Sequence, residues 1–265
     1  IRNRRPGIGS EGKAGLGFIR FSPEMVSTPH SSAQPDSFQY VGSELELFRQ
    51  ARNWKSYWSA KVWPYLRGDV LEVGAGIGAN TELLAGAGYE SWTALEPDGE
   101  LTRGLRLPSA KHQLVNATIR EVTGRFDAIL YIDVLEHIED DAGEVRQAAE
   151  RLKPGGALIV LSPAHQSLYS PFDAAIGHFR RYSRATLRAA AAGTAELEEV
   201  RVEYLDAVGL IASAANRVLL EQRMPTAGQI GVWDRWMVPV SRWAVDPLTF
   251  GAVGKSVLGI WRRRG

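Results

Sequence analysis

The chain has 265 residues, a length that suits one large α/β domain with a substantial hydrophobic core. Its 45% of hydrophobic and 23% of charged residues are ordinary for a globular protein, and a formal net charge of +1 points to neither a nucleic acid nor a membrane as partner. The absence of cysteine excludes disulfide frameworks and thiolate metal sites. No apolar run reaches the roughly 18–20 residues of a membrane span, and the first residues lack the apolar region of a signal peptide, so we expect a cytoplasmic protein.

The first 42 residues differ in composition from the rest of the chain. Glycine and arginine dominate their beginning, serine and proline follow, and the hydrophobic residues show no period. Such a segment buries too little apolar surface to offset its chain entropy, so residues 1–42 are predicted to be disordered. An equally open alternative is that the residues before Met25 do not belong to the natural protein. Residues 43–265 are expected to form a single domain.

The ordered part is predicted to begin with a helix that runs from Ser43 to about Pro64. Its first residues, "SELE", are a capping box with Ser43 as N-cap and Glu46 at position N3. The aromatic residues of this helix are more numerous than one packed face needs. They predict either core packing or a helix that partly covers a ligand site.

Strand and helix patterns alternate from residue 69 onward. Short apolar runs indicate strands at 69–73, 90–96, 111–115, 126–133, 157–162 and 195–205, and the segments between most of them have helical periodicity. The sequence "KPGG" at 153–156 predicts a turn. This alternation predicts an α/β fold with a doubly wound, mostly parallel sheet, which binds ligands beyond the carboxyl ends of its strands.

A glycine-rich turn follows the first strand in "VLEVGAGIGANTELL", where Gly74, Gly76 and Gly78 alternate with other residues. Glycine clusters mark backbone that needs positive φ or a close approach to another group. Gly74, Gly76 and Ala79 satisfy the pattern G-x-G-x-x-G/A, and Glu96 ends the next strand about twenty residues on, which is also the dinucleotide fingerprint. NAD is therefore an open alternative at this point, as is a tight turn without a cofactor.

Neighbouring residues favour a different cofactor. Glu72 ends the first strand, where a carboxylate suits a positively charged ligand better than a pyrophosphate. The motifs "VLEVGAGIGANT", "LEPD", "GRFDAILYIDVLEHIEDD" and "LKPGG" occur in the order and spacing of the class I S-adenosylmethionine-dependent methyltransferases. The chain resembles the small bacterial enzymes of that group that methylate small molecules. The resemblance covers about residues 43–205, and "GKSVLGIWRR" resembles the final antiparallel strand of their seven-stranded sheet.

The resemblance implies S-adenosylmethionine as cofactor and S-adenosylhomocysteine as product. It places Gly74, Gly76 and Gly78 beside the methionine part and ribose of the cofactor. It implies that Glu72 acts near the cofactor's amino group, through the loop or ordered water. Glu96 is expected to accept two hydrogen bonds from the ribose hydroxyls, which its charge strengthens.

Further cofactor contacts follow from the same resemblance. Pro97 is expected to shape the adenine edge. The family often has an aspartate that accepts from the adenine amino group, whereas this chain has Asn116, so the backbone around Thr118 and Ile119 becomes a further candidate. Asp133, at the end of the fourth strand, is expected to border the methionine part and the substrate entrance.

The segment "SPAHQSLYSPFDAAIGHFRRYSRATL" follows the fifth strand and therefore lies at the ligand-binding edge. Its "GHFRRY" run resembles a motif that borders the acceptor pocket in related methyltransferases. A structural network, in which Asp173 pairs with an arginine and orders the loop, is an alternative of nearly equal weight. A basic patch for nucleic acid is a weaker third alternative, because the run is short. The predicted acceptor-site residues are Tyr169, Asp173, His178, Arg181 and Tyr182.

Methyl transfer from a sulfonium requires alignment of acceptor, methyl group and sulfur, which is mostly a matter of orientation. A general base helps when the acceptor is a hydroxyl or ammonium, and His178 and His137 titrate nearest neutrality in this region. These two histidines and Asp133 are the predicted catalytic residues. No cluster of acids and histidines shows metal-ligand spacing, so no metal is predicted.

The predicted function is methylation of an oxygen, nitrogen or carbon atom on a small molecule, such as a natural product, a sugar or a lipid precursor. An NAD-dependent oxidoreductase remains the alternative from a second enzyme class. A methyltransferase-like fold that binds a partner without catalysis is the third hypothesis.

A Trp-rich segment at about 208–250 is predicted to be a helical insertion. Trp233, Trp236, Val240 and Trp243 fall on one face of a helix, and Pro239 is predicted to kink it. Such an aromatic stripe favours a buried core or a dimer face over a substrate wall. The segment therefore predicts a homodimer contact.

Overall fold

The computed structural model describes residues 44–103, 105–219 and 226–265. Within these ranges seven strands form one sheet in the order β3-β2-β1-β4-β5-β7-β6. Strands β1 to β5 pair in parallel, and β7 runs antiparallel to both β5 and β6. The predicted doubly wound α/β fold with a final antiparallel strand is confirmed. The strands are β1 (Gly68–Val73), β2 (Tyr89–Leu95), β3 (His112–Val115), β4 (Phe126–Ile132), β5 (Leu152–Pro163), β6 (Leu197–Leu205) and β7 (Ser256–Arg263).

Helices cover both faces of the sheet. None of those in the described ranges has both the length and the apolar character needed to cross a bilayer. The predicted turn at 153–156 is instead part of the start of β5, where the pairing with β4 shifts register and Gly155 has φ of 77°. The helices are α1 (Glu44–Arg49), α2 (Arg52–Val62), α3 (Ala79–Leu83), α4 (Gly99–Thr102), α5 (Asp141–Arg151), α6 (Pro171–Ala175), α7 (Arg184–Ala192), α8 (Ala207–Leu219), α9 (Ala227–Val232), α10 (Val238–Val240) and α11 (Asp246–Thr249).

The first helix differs from its prediction. The single helix expected from Ser43 to Pro64 is two helices, α1 and α2, because Ala51 leaves the helical region at ψ of 72°. The proposed cap at Ser43 and the segment 1–42 lie outside the described residues.

The sheet is hydrophobic on both faces, as expected for parallel strands covered on two sides. Along β1, Val70 belongs to the core under α2, together with Trp58 and Trp92. The next residue, Leu71, belongs to the opposite core with Leu135. Fully burying side chains of this size stabilises the fold by about 1.5–3 kcal/mol each. Glu72 is two residues after Val70, so its side chain lies on the same face of the sheet, the face that α2 covers.

The segment between β6 and β7, which we call the helical insertion, contains α8 to α11 within the described residues. Between α9 and α11 the helix widens into π-helical segments at Trp233–Met237 and Ser241–Val245. Their i→i+5 hydrogen bonds break the 3.6-residue period on which the stripe prediction depended. Trp233 is buried, whereas Trp236, Val240 and Trp243 are 64%, 48% and 73% exposed. Core packing of the stripe is therefore shown for Trp233 alone, and the dimer face remains a prediction for the three exposed residues.

Buried aspartates attach the insertion to the rest of the domain. The carboxylate of Asp234 accepts hydrogen bonds from the backbone N–H of Asn53 (3.1 Å) and Trp54 (2.8 Å), at the start of α2. Asp246 accepts from the backbone N–H of Ala207 (3.0 Å) at the start of α8 and from the Tyr57 hydroxyl (2.7 Å). Carboxylates in these positions satisfy the unpaired N–H groups of a helix N-terminus.

Candidate functional site

The glycine turn after β1 needs glycine for two reasons. Gly74, Gly76 and Gly78 have φ of 70°, 54° and 77°, a region that other residues enter with strain. A Cβ atom on Gly74 would lie 2.6 Å from a methyl group of Val134, and one on Gly78 would lie 2.9 Å from the side chain of Leu105. The backbone of the turn is thus pressed between side chains that follow β4 and α4.

Helix α1 lies over the same turn. A Cβ atom on Gly76 would be 3.5 Å from the side chain of Leu45, an ordinary van der Waals contact. Whether this helix covers a ligand site remains a prediction.

Glu72 is a buried carboxylate at the end of β1, with 2% of its surface exposed. Its Oε2 accepts hydrogen bonds from the Thr81 hydroxyl (2.5 Å) and the Trp92 indole N–H (3.0 Å). Its Oε1 has no hydrogen-bond partner among the described residues. Burial raises the pKa of Glu72 to about 7, although the bonds from Thr81 and Trp92 act to lower it. A buried oxygen without a partner fits a cationic ligand, such as the ammonium group of S-adenosylmethionine.

Glu96 joins the end of β2 to the glycine turn. Its carboxylate accepts hydrogen bonds from the backbone N–H of Gly76 (2.7 Å) and of Asp98 (2.9 Å). Burial raises its pKa, and the two backbone bonds partly offset that effect. The structure therefore shows a structural role for this residue, and the contact with ribose hydroxyls remains a prediction.

The predicted adenine side lies next to β2 and β3. The Asn116 amide nitrogen donates to the carbonyl oxygens of Glu96 (2.8 Å) and Pro97 (3.0 Å), which directs the amide oxygen away from them. The backbone N–H of Thr118 donates to Glu121 (2.7 Å), so this amide is engaged within the protein. Ile119 is fully buried and offers no side-chain surface to a ligand.

Asp133 follows β4 in a left-handed conformation with φ of 55°. Its surface is open to solvent, yet the surrounding protein desolvates the carboxyl and raises its pKa to about 6. The charges of His178, Lys255 and Lys55 oppose this rise. Asp133 thus lies at the edge of the sheet where the sequence placed it.

The loop after β5 is held by a buried network around Asp173. The His178 Nδ1 atom lies 2.9 Å from Asp173 Oδ1, and the Arg181 guanidinium donates from Nε (2.7 Å) and Nη2 (3.0 Å). Burial alone would raise the pKa of Asp173, but the hydrogen bonds from His178 and Arg181 hold it well below its ordinary value. For Asp173 and Arg181 the structure therefore shows the structural network considered above, in which the aspartate pairs with an arginine and orders the loop. Tyr169 also supports the loop, because its hydroxyl donates to the His178 carbonyl oxygen (2.6 Å).

Tyr182 is not an acceptor-site residue. Its ring is buried in the core beside β5, and its hydroxyl donates to Asp141 (2.7 Å). The prediction of substrate contact is wrong because this tyrosine points inward, although the "GHFRRY" run lies at the ligand-binding edge.

The structure gathers two histidines and a glutamate beside Asp133. The rings of His137 and His178 meet edge to face with centroids 4.5 Å apart. Glu136 is fully buried, and its Oε1 lies 3.9 Å from His178 Nε2. The sequence did not predict this cluster, because His178 comes from a different loop. The only indication of it in the sequence was that two of its residues, Glu136 and His137, are adjacent.

The fold and the glycine turn are those of an S-adenosylmethionine-dependent methyltransferase of class I. The sequence model of the methyltransferase domain family matches residues 43–195, more than half of the chain. The chain therefore belongs to this family, and its cofactor is S-adenosylmethionine. Membership decides against the NAD-dependent alternative.

Relatives and solved structures agree with this assignment. The ubiquinone biosynthesis O-methyltransferase of Xanthomonas oryzae is 31% identical over 157 residues, which cover 49% of this chain and 65% of that protein. The corresponding enzyme of Xanthomonas axonopodis is 35% identical over 112 residues, covering 39% of this chain and 46% of that enzyme. The chain thus matches less than two thirds of the length of these relatives.

Similarity in structure extends further along the chain than similarity in sequence. The N-methyltransferase NodS of Bradyrhizobium japonicum has a TM-score of 0.50 at 17% identity, covering 82% of this chain and 97% of that one. Coclaurine N-methyltransferase, solved with N-methylheliamine and S-adenosylhomocysteine, has a TM-score of 0.55 at 15% identity, covering 80% and 72%. At such identities the similarity establishes the fold.

Proposed function

We propose that this chain transfers a methyl group from S-adenosylmethionine to a hydroxyl oxygen of a small molecule, with His178 accepting the hydroxyl proton. The observation that carries the proposal is the pairing of His178 Nδ1 with Asp173 at 2.9 Å. This pairing directs the ring so that Nε2 faces the cluster beside Asp133. The names of the Xanthomonas relatives, which are O-methyltransferases, support oxygen as the acceptor atom.

The donor side is formed by the ends of β1 and β2. S-adenosylmethionine supplies an electrophilic methyl group on a sulfonium and leaves as S-adenosylhomocysteine. Glu72 would attract the cofactor's ammonium group with its unpartnered oxygen. Glu96 would receive the ribose hydroxyls on the lone pairs that the backbone of Gly76 and Asp98 leaves available. Positive φ at the three glycines lets the backbone pass close to this ligand.

The acceptor side is formed by the loop after β5 and the turn after β4. Asp173 is ionised and fully buried, and its hydrogen bond with Nδ1 holds the His178 ring in one orientation. A general base in this position contributes about 10²–10⁴-fold to the rate. Arg181 and Tyr169 act on the acceptor indirectly, because they hold Asp173 and the His178 backbone.

The test compares His178→Ala with His165→Asn, using radiolabelled methyl transfer to a panel of phenols, catechols and sugars. His165 lies in the same loop but bonds to the Gly254 carbonyl oxygen, and asparagine tolerates its φ of 65°. His178→Ala should lower kcat at least a hundredfold, with cofactor affinity near wild type in calorimetry, whereas His165→Asn should retain activity. Normal turnover of His178→Ala across pH 6–9 would reject the base assignment. Cofactor binding without transfer to any acceptor would favour the non-catalytic hypothesis.

We further propose that the protein acts in the cytoplasm on a diffusible small molecule, without nucleic acid, and that exposed aromatic residues form a homodimer contact. Trp236 and Trp243 support the contact, because large apolar side chains at the surface often mark an interface. Light scattering after gel filtration should show a dimer that Trp236→Ala combined with Trp243→Ala converts to a monomer. A monomeric wild type at 100 µM, roughly the upper range of such measurements, would reject the dimer.

A further inference from the structure

Three potential metal ligands converge on the acceptor side of the site. Glu136 and His137 come from the turn after β4, and His178 comes from the loop after β5. Their ligand atoms all lie within 4.8 Å of one another, and Glu136 Oε1 is 3.9 Å from His178 Nε2. Ligands at about 2.0–2.2 Å from a tetrahedral Zn²⁺ are roughly 3.4 Å apart. The side chains would therefore have to move together by about 0.5 Å for the Glu136–His178 pair, and by at most roughly 1.4 Å for the others, to close the cluster around one ion.

Each of the two imidazole rings has a hydrogen-bond partner outside the cluster. His178 Nδ1 is 2.9 Å from the buried carboxylate of Asp173. His137 forms a hydrogen bond with the backbone of Gly177, and its Nδ1 is the nitrogen near that residue. Histidines that bind metals almost always have such a partner on the second nitrogen, which fixes the ring and leaves the other nitrogen as ligand.

Glu136 supplies a second, independent observation. The residue is fully buried, and its Oε2 accepts a hydrogen bond from the Ser162 hydroxyl (2.8 Å). Its Oε1 has no hydrogen-bond partner among the residues that the structure describes. A buried carboxylate oxygen without a partner is unfavourable, and the nearby carboxyl of Asp133 adds repulsion. A divalent cation would satisfy this oxygen.

We propose that Glu136, His137 and His178 bind one divalent cation that prefers imidazole ligands, of which Zn²⁺ is the best match. Two histidine nitrogens and one carboxylate are a ligand set of catalytic zinc sites, which keep a further position open. Mg²⁺ fits less well because it prefers an all-oxygen shell.

This inference rests on the proposed methyl transfer to a hydroxyl oxygen, and it replaces His178 by the cation as the group that promotes loss of the hydroxyl proton. The open position takes the hydroxyl oxygen of the acceptor, whose proton passes to solvent because the cation lowers its pKa. The oxygen then forms a bond to the methyl carbon while the carbon–sulfur bond breaks and its electron pair stays on sulfur. The lone pair of His178 is used for the metal, and Asp173 is a positioning residue.

The experiment titrates the full chain, treated with EDTA and desalted, with Zn²⁺ in a calorimeter and with Co²⁺ in a spectrophotometer. One ion per chain is expected, with visible absorption bands of four-coordinate Co²⁺. His137→Ala, His178→Ala and Glu136→Gln should each weaken binding more than tenfold, and Asp173→Asn should weaken it about 10–100-fold. His165→Asn is the matched histidine control and should bind as wild type. Circular dichroism melts identify any variant that fails to fold. Glu136→Gln is expected to fold, because the glutamine oxygen can still accept the hydrogen bond from Ser162.

Two results would overturn the metal site. One is the absence of stoichiometric binding, and the other is equal affinity in wild type and in the folded ligand variants, which would indicate surface binding. Methyl transfer that survives EDTA and still depends on His178 would reject the metal while keeping the proposed function. Site-specific Zn²⁺ binding without methyl transfer to any acceptor would keep the metal and reject the function.

Discussion

We predict that the buried carboxylate of Glu72 lowers the stability of the folded protein and strengthens its binding of the cofactor. Burial raises its pKa from 4.5 to about 7 in the folded protein. A proton therefore binds the folded state more tightly than the unfolded state. The stability associated with the protonated acid is fully present below about pH 4.5 and is lost as the pH rises through 7.

The size of the effect follows from that pKa difference. Each pKa unit corresponds to about 1.4 kcal/mol, so the ionised Glu72 side chain destabilises the folded protein by about 3 kcal/mol above pH 8. Glu72→Gln removes the charge and keeps an oxygen that can accept from Thr81 and Trp92. The advantage of this variant in free energy of unfolding should therefore grow by about 2.5 kcal/mol between pH 5 and pH 8.

Urea unfolding of both proteins at pH 5 and pH 8 measures this difference. Glu82→Gln is the control, because it makes the same change at a carboxylate that is exposed. Calorimetry on the same samples should show at least tenfold weaker binding of S-adenosylmethionine to Glu72→Gln, because a charged hydrogen bond is worth about 1.5–3 kcal/mol. A stability difference that is the same at both pH values would refute the argument from burial, and unchanged cofactor affinity would refute the role assigned to the unpartnered oxygen.

Three other substitutions test neighbouring parts of the site. Gly78→Ala should lower the free energy of unfolding by at least about 1–2 kcal/mol because this position has positive φ. Gly88→Ala is the control and should be nearly neutral in the same urea series, because the space around its Cβ position is open. Equal effects of the two substitutions would contradict the strain argument. Glu96→Ala should weaken cofactor binding at least tenfold in calorimetry, and wild-type affinity would reject its place on the donor side. Tyr182→Phe should lower stability by about 1–3 kcal/mol through the lost bond to Asp141 and leave the KM for the acceptor unchanged, whereas a raised KM would restore it as a substrate contact.

Features that depend on local sequence were predictable. The spacing of Gly74, Gly76 and Gly78 predicted a turn with positive φ or a close approach of the backbone, and the structure shows positive φ at all three. The strands were visible as apolar runs because a parallel sheet buries both of its faces. The position of Glu72 and Glu96 at strand ends followed from the same pattern. In each case, neighbours in the chain determine the conformation.

Features that depend on distant residues were not predictable in this way. The start of α2 is capped by Asp234, which lies about 180 residues away and carries no sequence signal for that role. The burial of Tyr182 depends on how its loop returns to β5, and the approach of His178 to Glu136 depends on two loops meeting. Side-chain direction in such loops is a property of tertiary packing.

The position of β7 has a consequence for synthesis of the protein on the ribosome. This strand is late in the chain, yet it lies between β5 and β6. Strand β6 ends at Leu205 and β7 begins at Ser256, so at about 5–20 residues per second β6 emerges roughly 3–10 seconds before the strand that attaches it to the sheet. During that interval the exposed edges of β5 and β6 are open to incorrect pairing, and a nascent chain stalled within the insertion would expose β5 to chaperones and to other unfolded chains.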